Sequence, residues 1–195
     1  MFVMVEDEYI ARIPPELLGD DYSRSVTQVT KDSLEGRLLD VQSEEIEGKN
    51  IGKCLVISIV DVDLVGEGAI VHGDGGVYQS VKFKALGFYP EMHEIIEGVV
   101  VSVQNFGAFV RFSSFDGLLH ISQIMDDRID VDLANMRFIG KDTKRDIKVG
   151  DKVRVKIVAL NLSSSSIRDS KIGLTMKQMG LGKLEWLREK KKVET

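Results

Sequence analysis

Cysteine, proline and aromatic residues are all scarce in this chain. A single cysteine, Cys54, stands among 195 residues, which excludes an intramolecular disulfide and any zinc site built from several thiolates. Three prolines and 7% aromatics exclude collagen-like and proline-rich architectures. No apolar run approaches the ~20 residues of a membrane-spanning helix. The N-terminal stretch turns acidic after five residues, so no secretory signal is expected. The three histidines, His72, His93 and His120, lack metal-ligand spacing, and no cofactor or metal is expected. The expectation is a soluble, cytoplasmic protein whose 43% hydrophobic residues can bury a core.

Positive charge is also short overall, with a net charge of −5. Its distribution is uneven. Residues 1–96 carry 8 Lys+Arg against 18 Asp+Glu, whereas residues 97–195 carry 18 against 13. An acidic front half repels phosphates and a basic back half accepts them, so two modules with different partners are expected.

The front half mixes element types. Phe2 to Val5 reads as a strand that ends before Pro14-Pro15. Tyr22, Val26 and Val29 recur at helical spacing, with Gly36 placed to end the helix. "KCLVISIVDVDLV" reads as a strand covered on both faces, and "SEEIEGKNIG" as a charged loop. A hairpin follows, with His72, Gly73, Asp74, Gly75 and Gly76 at its turn and Val81, Phe83 and Ala85 on the inner face of the return strand. The fold class is therefore α+β for this module.

The back half reads as five short strands: 97–104, 106–112, 117–121, 152–160 and 171–176. That count and spacing suggest a small Greek-key barrel of the OB type. The long interruption 123–150 is polar, with room for a helical turn or two. "LSSSSIRDS" reads as a hairpin loop and "GKLEWLREKKKVET" as a helical tail. The boundaries expected are 1–92 for the first module, 93–180 for the barrel and 181–195 for the tail.

Alternation on the second barrel strand separates Ala108, Val110 and Phe112 from Phe109 and Arg111. A bulge at Gly107 would bring Phe106 onto the face of Phe109. His120 alternates out on the next strand. Rings beside cations on an open sheet suit single-stranded nucleic acid, since bases stack on them for roughly 1–3 kcal/mol each. Periodicity leaves a second reading open, in which the phenylalanines are core.

"EGVVVSVQNFGAFVRFSSFDGLLHISQI", followed by "VGDKVRVKIVALN" and "SKIGLTMK", resembles the ribosomal-protein-S-one-type RNA-binding domain, an OB fold. The resemblance implies RNA-facing roles for Phe106, Phe109, His120 and Lys171, with Asn161 where the family commonly has Asp. "RIPPELLG", "GEGAIVHGDGGVYQSVKFKAL", "PEMHEIIEG" and "LGKLEW" widen it. Together they resemble the larger stalk subunits of archaeal RNA polymerases and of the nuclear enzymes. That resemblance implies a truncated ribonucleoprotein-like first module and no catalytic site of its own. It implies three partners: a smaller helical stalk subunit in a heterodimer, the core RNA polymerase, and single-stranded RNA transcript. It also implies core docking through a glycine-rich tip, here Gly66, Gly68, His72, Gly73, Asp74 and Gly75. The alternative is a free-standing RNA-binding factor of translation or RNA decay. An enzyme is a third reading, for which no nucleophile, base and orienting group assemble.

Other groups have blander readings. Asp126, Asp127, Asp130 and Asp132 lack the glycine turn and terminal Glu of a calcium loop, so caps or solvated loops are expected. "HGDGG" lacks the Lys-Ser/Thr of a phosphate loop. Cys54 is expected in the core, and Trp186 and Leu187 are expected to pack against protein rather than a base.

Overall fold

Apolar alternation builds the front-half strands, and charge pairing extends one of them. In the computed structural model, residues 1–19, 21–40, 52–163 and 169–193 are described, with side chains through 188. The chain divides into two units, Met1–Tyr89 and Pro90–Thr195. The expected loops at 43–52 and 162–170 lie wholly or partly outside the described residues, as do the side chains of the basic tail beyond 188.

In the first unit, β1 (Phe2–Ile13), α1 (Tyr22–Leu34), β2 (Leu38–Asp40), β3 (Lys53–Ile70) and β4 (Val77–Phe88) form a four-stranded antiparallel sheet, order β1-β4-β3-β2, with one helix. β1 runs eight residues beyond the expected Val5. The acidic triplet did not end it, because Glu6 and Glu8 lie opposite Lys84 and Lys82 and pair with them at 3.0 and 3.4 Å. Opposite charges across a strand pair favour the sheet. Asp21 caps α1 by accepting from the Arg24 N–H at 3.1 Å. Val26, Thr30 and Leu34 then face the sheet, where Val26 meets Ala11, Ile13 and Val81. Leu34 packs with Val56, Ile59, Phe83 and Ala85. β3 is buried consecutively only at Cys54, Leu55 and Val56. From Val60 onward every residue of β3 is exposed except half-buried Val62, so cover on both faces holds for its first part alone.

The second unit begins with β5 (Ile95–Gln104), β6 (Gly107–Phe112) and β7 (Phe115–His120). After β8 (Ile129–Asp132), β9 (Arg137–Gly140) and β10 (Asp146–Lys148) come β11 (Lys152–Asn161), β12 (Lys171–Thr175), β13 (Gly182–Lys183) and α2 (Leu184–Val193). The main sheet runs β12-β7-β6-β5-β11, and β11 pairing with β12 closes it, with β13 added outside β11. β7 and β12 are parallel and the other pairs antiparallel. Val100, Ala108, Val110, Leu119, Val155 and Ile157 fill the interior with no exposed surface. This is the expected five-stranded OB-type barrel.

The interruption is not helical beyond the short 3-10 turn Ile121–Gln123 at its start. It folds into a separate sheet, order β10-β9-β8. Phe138 and Ile147 are fully buried within it. Strands this short carry one or two inward residues each, too few to show a period.

Candidate nucleic-acid interface

The barrel wall formed by β5, β6 and β7 carries the candidate side chains. β6 alternates as expected: Ala108, Val110 and Phe112 are buried, Phe109 is half-buried and Arg111 is exposed. Phe106 is 49% exposed in the turn before β6, and its ring meets the Phe109 ring edge-on at 6.3 Å. Both rings therefore stand on the outside.

Gly107 has a different role from the one expected. The bulge lies on the facing strand, between Val100 and Ser102 of β5. Gly107 instead allows a close backbone approach between β6 and β7, since a Cβ there would lie 2.9 Å from the His120 Cα and closer still to the Leu119 carbonyl oxygen. The Ile121 N–H donates to the Phe106 carbonyl at 2.9 Å, which holds the turn against the end of β7.

His120 is exposed and pairs in register with Gly107. The Ser122 N–H donates to its Nδ1 at 3.2 Å, and the Ser122 hydroxyl lies 2.8 Å from the same nitrogen. A backbone amide can only donate, so Nδ1 is an acceptor and the neutral ring carries its proton on Nε2. A directed donor thus sits one strand from the two rings.

Arg111 shares the outer face but is not a free cation. Its Nε and Nη2 donate to the two carboxylate oxygens of Asp116 at 2.7 and 2.8 Å. That carboxylate raises the Arg111 pKa. Sequence reasoning missed Asp116. The signal was the two-residue turn Ser113-Ser114, which sets Phe112 opposite Phe115 and hence Arg111 opposite Asp116. Asn161 and Lys171 are exposed register partners, the last residue of β11 and the first of β12, where the connecting segment leaves and re-enters the sheet. Gly173 lies level with Leu118 in the parallel pair, so Lys171, two residues earlier, falls at the level of Asp116. The face therefore has two ends. Phe106, Phe109 and His120 form an aromatic end, and Arg111, Asp116 and Lys171 form a charged one.

The glycine-rich segment of the first unit also differs from a simple tip loop. Gly66 and Gly68 lie inside β3, in a bulge where Val65 pairs Ser80 and the next pair is Ala69 with Tyr78. Gly66 adopts φ +66°, and a Cβ at Gly68 would lie 2.6 Å from the Val77 side chain. Gln79, 2% exposed, plugs the bulge by donating to the Val65 and Ser80 carbonyls at 3.1 and 2.9 Å, while Tyr22 donates to its Oε1 at 3.1 Å. The turn proper holds His72, Gly73 and Gly75 exposed, with Asp74 half-buried. Asp74 points its carboxylate inward to Arg12, Gly76 and Tyr78. Ile70 and Val71 beside the turn are 75% and 51% exposed.

The four aspartates singled out in the interruption are all engaged. Asp126 and Asp130 pair with Lys177 and Lys141, each at 2.8 Å. Asp127 caps the turn after β9, accepting from the Thr143 N–H and hydroxyl, and Asp132 accepts from Asn135 and Arg137. No group of metal-ligating side chains occurs among the described residues. Cys54 is fully buried, and burial pushes its thiol up to about 11. Trp186 packs under the Arg145 guanidinium, 5.3 Å from the ring centroid.

An α+β unit joined in one chain to an OB-type barrel with rings and a histidine on its outer wall defines a two-module protein with an RNA-binding barrel. Residues 89–171 match the S1 RNA binding domain, and residues 8–75 match the SHS2 domain found in the N terminus of Rpb7p/Rpc25p/MJ0397. DNA-directed RNA polymerase subunit Rpo7 of Sulfolobus acidocaldarius is 38% identical over 189 residues, covering 97% of this chain and 96% of that protein. DNA-directed RNA polymerase II subunit rpb7 of Dictyostelium discoideum is 29% identical, covering 63% and 73%. Ribonuclease R of Buchnera aphidicola is 38% identical over 81 residues only, 40% of this chain and 11% of that enzyme. The chain belongs to the Rpo7 family of DNA-directed RNA polymerase subunits.

Proposed function

We propose that this protein is a noncatalytic stalk subunit that docks on core RNA polymerase through the end of the β3–β4 hairpin and holds emerging single-stranded RNA on the outer wall of its barrel. The observation that carries the RNA half is the outward pair Phe106 and Phe109 beside His120. Bases stack on the rings, and the Nε2–H of His120 offers a hydrogen bond to a base edge or a 2′-hydroxyl. Asn161 and Lys171 border the same wall. Tethering near the exit path raises the local transcript concentration, so weak, sequence-tolerant binding suffices.

At the other unit, exposed Ile70, Val71, His72 and Gly73 supply an apolar, closely approachable surface for the core. A smaller helical subunit completes the stalk. Bond-making chemistry belongs to the core enzyme, and the clustered carboxylates of this chain serve turns and ion pairs instead.

Affinity purification of the protein from its native host tests the reading. Recovery with the large polymerase chains and a small helical partner is expected. Recovery free of polymerase chains favours the free-standing RNA factor and overturns the docking assignment.

A further inference from the structure

The charged end of the barrel wall continues past Arg111. Cross-strand partners on one sheet project from the same face. Asp116 pairs with Arg111, Arg111 with Val99, and Val99 with Lys152. These four residues make one row across β7, β6, β5 and β11, with Lys152 about 10 Å from Arg111 at two strand spacings. Val99 is 36% exposed between them, and Lys152 is exposed.

The cations of this unit are not equivalent. Arg111, Arg137, Lys141, Arg154, Lys177 and Lys183 each face a carboxylate. Lys152 has no carboxylate partner among the described residues. An ion pair is close to neutral as seen by an approaching phosphate, and a bidentate pair adds a repelling carboxylate at the point of contact. A lone ammonium keeps its full charge and can release a counterion from the strand.

We infer that Lys152 is a phosphate-binding residue of this RNA face, and that Asp116 withholds Arg111 from that role. The inference rests on the reading of the outer wall as the RNA face. The transcript then stacks at the Phe106 end and sets its backbone across the row toward β11. Asp116 limits affinity, which suits a surface that must release a moving strand.

The test titrates the full chain with a fluorescent single-stranded oligouridine across a salt series. Lys152→Gln is expected to weaken binding on the order of threefold and to lower the slope of log affinity against log salt by about 0.7, one phosphate contact on a single strand. Arg111→Gln is expected to cost less. Asp116→Asn is expected to tighten binding by a similar factor and steepen the slope, and adding Arg111→Gln to it should remove the gain. That reversal separates a freed arginine from a change in folding. An Arg111→Gln loss as large as that of Lys152→Gln, or an unchanged slope in Asp116→Asn, overturns the inference. Phe106→Ala with Phe109→Ala tests the underlying face: retained affinity there sinks both readings. Lost affinity there with unaltered binding by Lys152→Gln sinks the lysine assignment alone.

Discussion

The carboxylate of Asp74 accepts hydrogen bonds from Nε and Nη2 of Arg12, at 2.8 and 2.5 Å and 62 residues earlier in the chain. The Tyr78 hydroxyl at 2.7 Å and the Gly76 N–H at 3.1 Å complete its shell. These donors hold the Asp74 carboxyl well below the usual carboxylate range, the Arg12 bond contributing most. The pair ties the end of β1 to the hairpin turn. Asp74→Ala is expected to loosen residues 71–76 without unfolding the unit. Faster amide exchange at Gly76 and weaker assembly with core polymerase, with RNA affinity retained, are the outcomes to measure. Unaltered assembly would show that the turn's conformation does not matter for docking.

Residue patterns exposed the barrel more fully than the first unit. Its strands alternate over six residues in β5 and β11 and over five in β6, so inward and outward positions could be read directly. Phe106 stands beside Phe109 without the bulge expected at Gly107, since it lies in the turn before β6 and the bulge is on β5. β1 was undercounted because the acids at Glu6 and Glu8 resemble a loop until Lys84 and Lys82 are seen across from them. Arg111 looked free for the same reason, since Asp116 is a cross-strand partner. Gln79 carried no signal at all. A buried amide is needed there only because β3 bulges at Gly66–Gly68, and bulges depend on pairing register rather than on local composition.

Stability should separate the two kinds of phenylalanine on this wall. Phe115 is 1% exposed, so Phe115→Ala opens a cavity and should cost about 3–5 kcal/mol. Phe106 is half open and contributes chiefly its edge-on contact with Phe109, so Phe106→Ala should cost under about 1.5 kcal/mol. Denaturant unfolding gives both numbers, and RNA titration should show the reverse ranking. Equal destabilisation would place Phe106 in the core.

Asp127 gives a pH dependence with a definite sign. The Thr143 N–H foremost, against a smaller opposing effect of burial, lowers its pKa from 3.8 to about 2. A carboxyl depressed by folding stabilises the fold above its unfolded value, and that contribution disappears as the pH falls through the folded value. Wild type should therefore exceed Asp127→Asn in stability at neutral pH, with the gap closing as pH falls from about 4 toward about 2. Thermal melting across that range measures it. A gap that stayed constant would mean that Asp127 acts through its shape and not its charge.

Lys183 is the buried cation among the described residues of the second unit, 5% exposed. Its Nζ lies 2.9 Å from Asp151 Oδ2 and 3.1 Å from Glu185 Oε2, with Asp146 at 3.9 Å. Burial alone would lower its pKa, but the bonds it donates to Asp151 and Glu185 outweigh that and leave the pKa raised. Asp151 is itself 9% exposed and otherwise holds the Lys148 N–H at 2.9 Å. Lys183→Met leaves that carboxylate with no counter-charge and should cost about 3 kcal/mol, in the range for a broken buried pair. It should also free β13 from β11, where Lys183 pairs with Val153. Adding Asp151→Asn should recover part of the loss, because a neutral amide needs no cation. A double variant no more stable than Lys183→Met would show that packing of the lysine stem, and not charge burial, holds the C-terminal segment to the barrel.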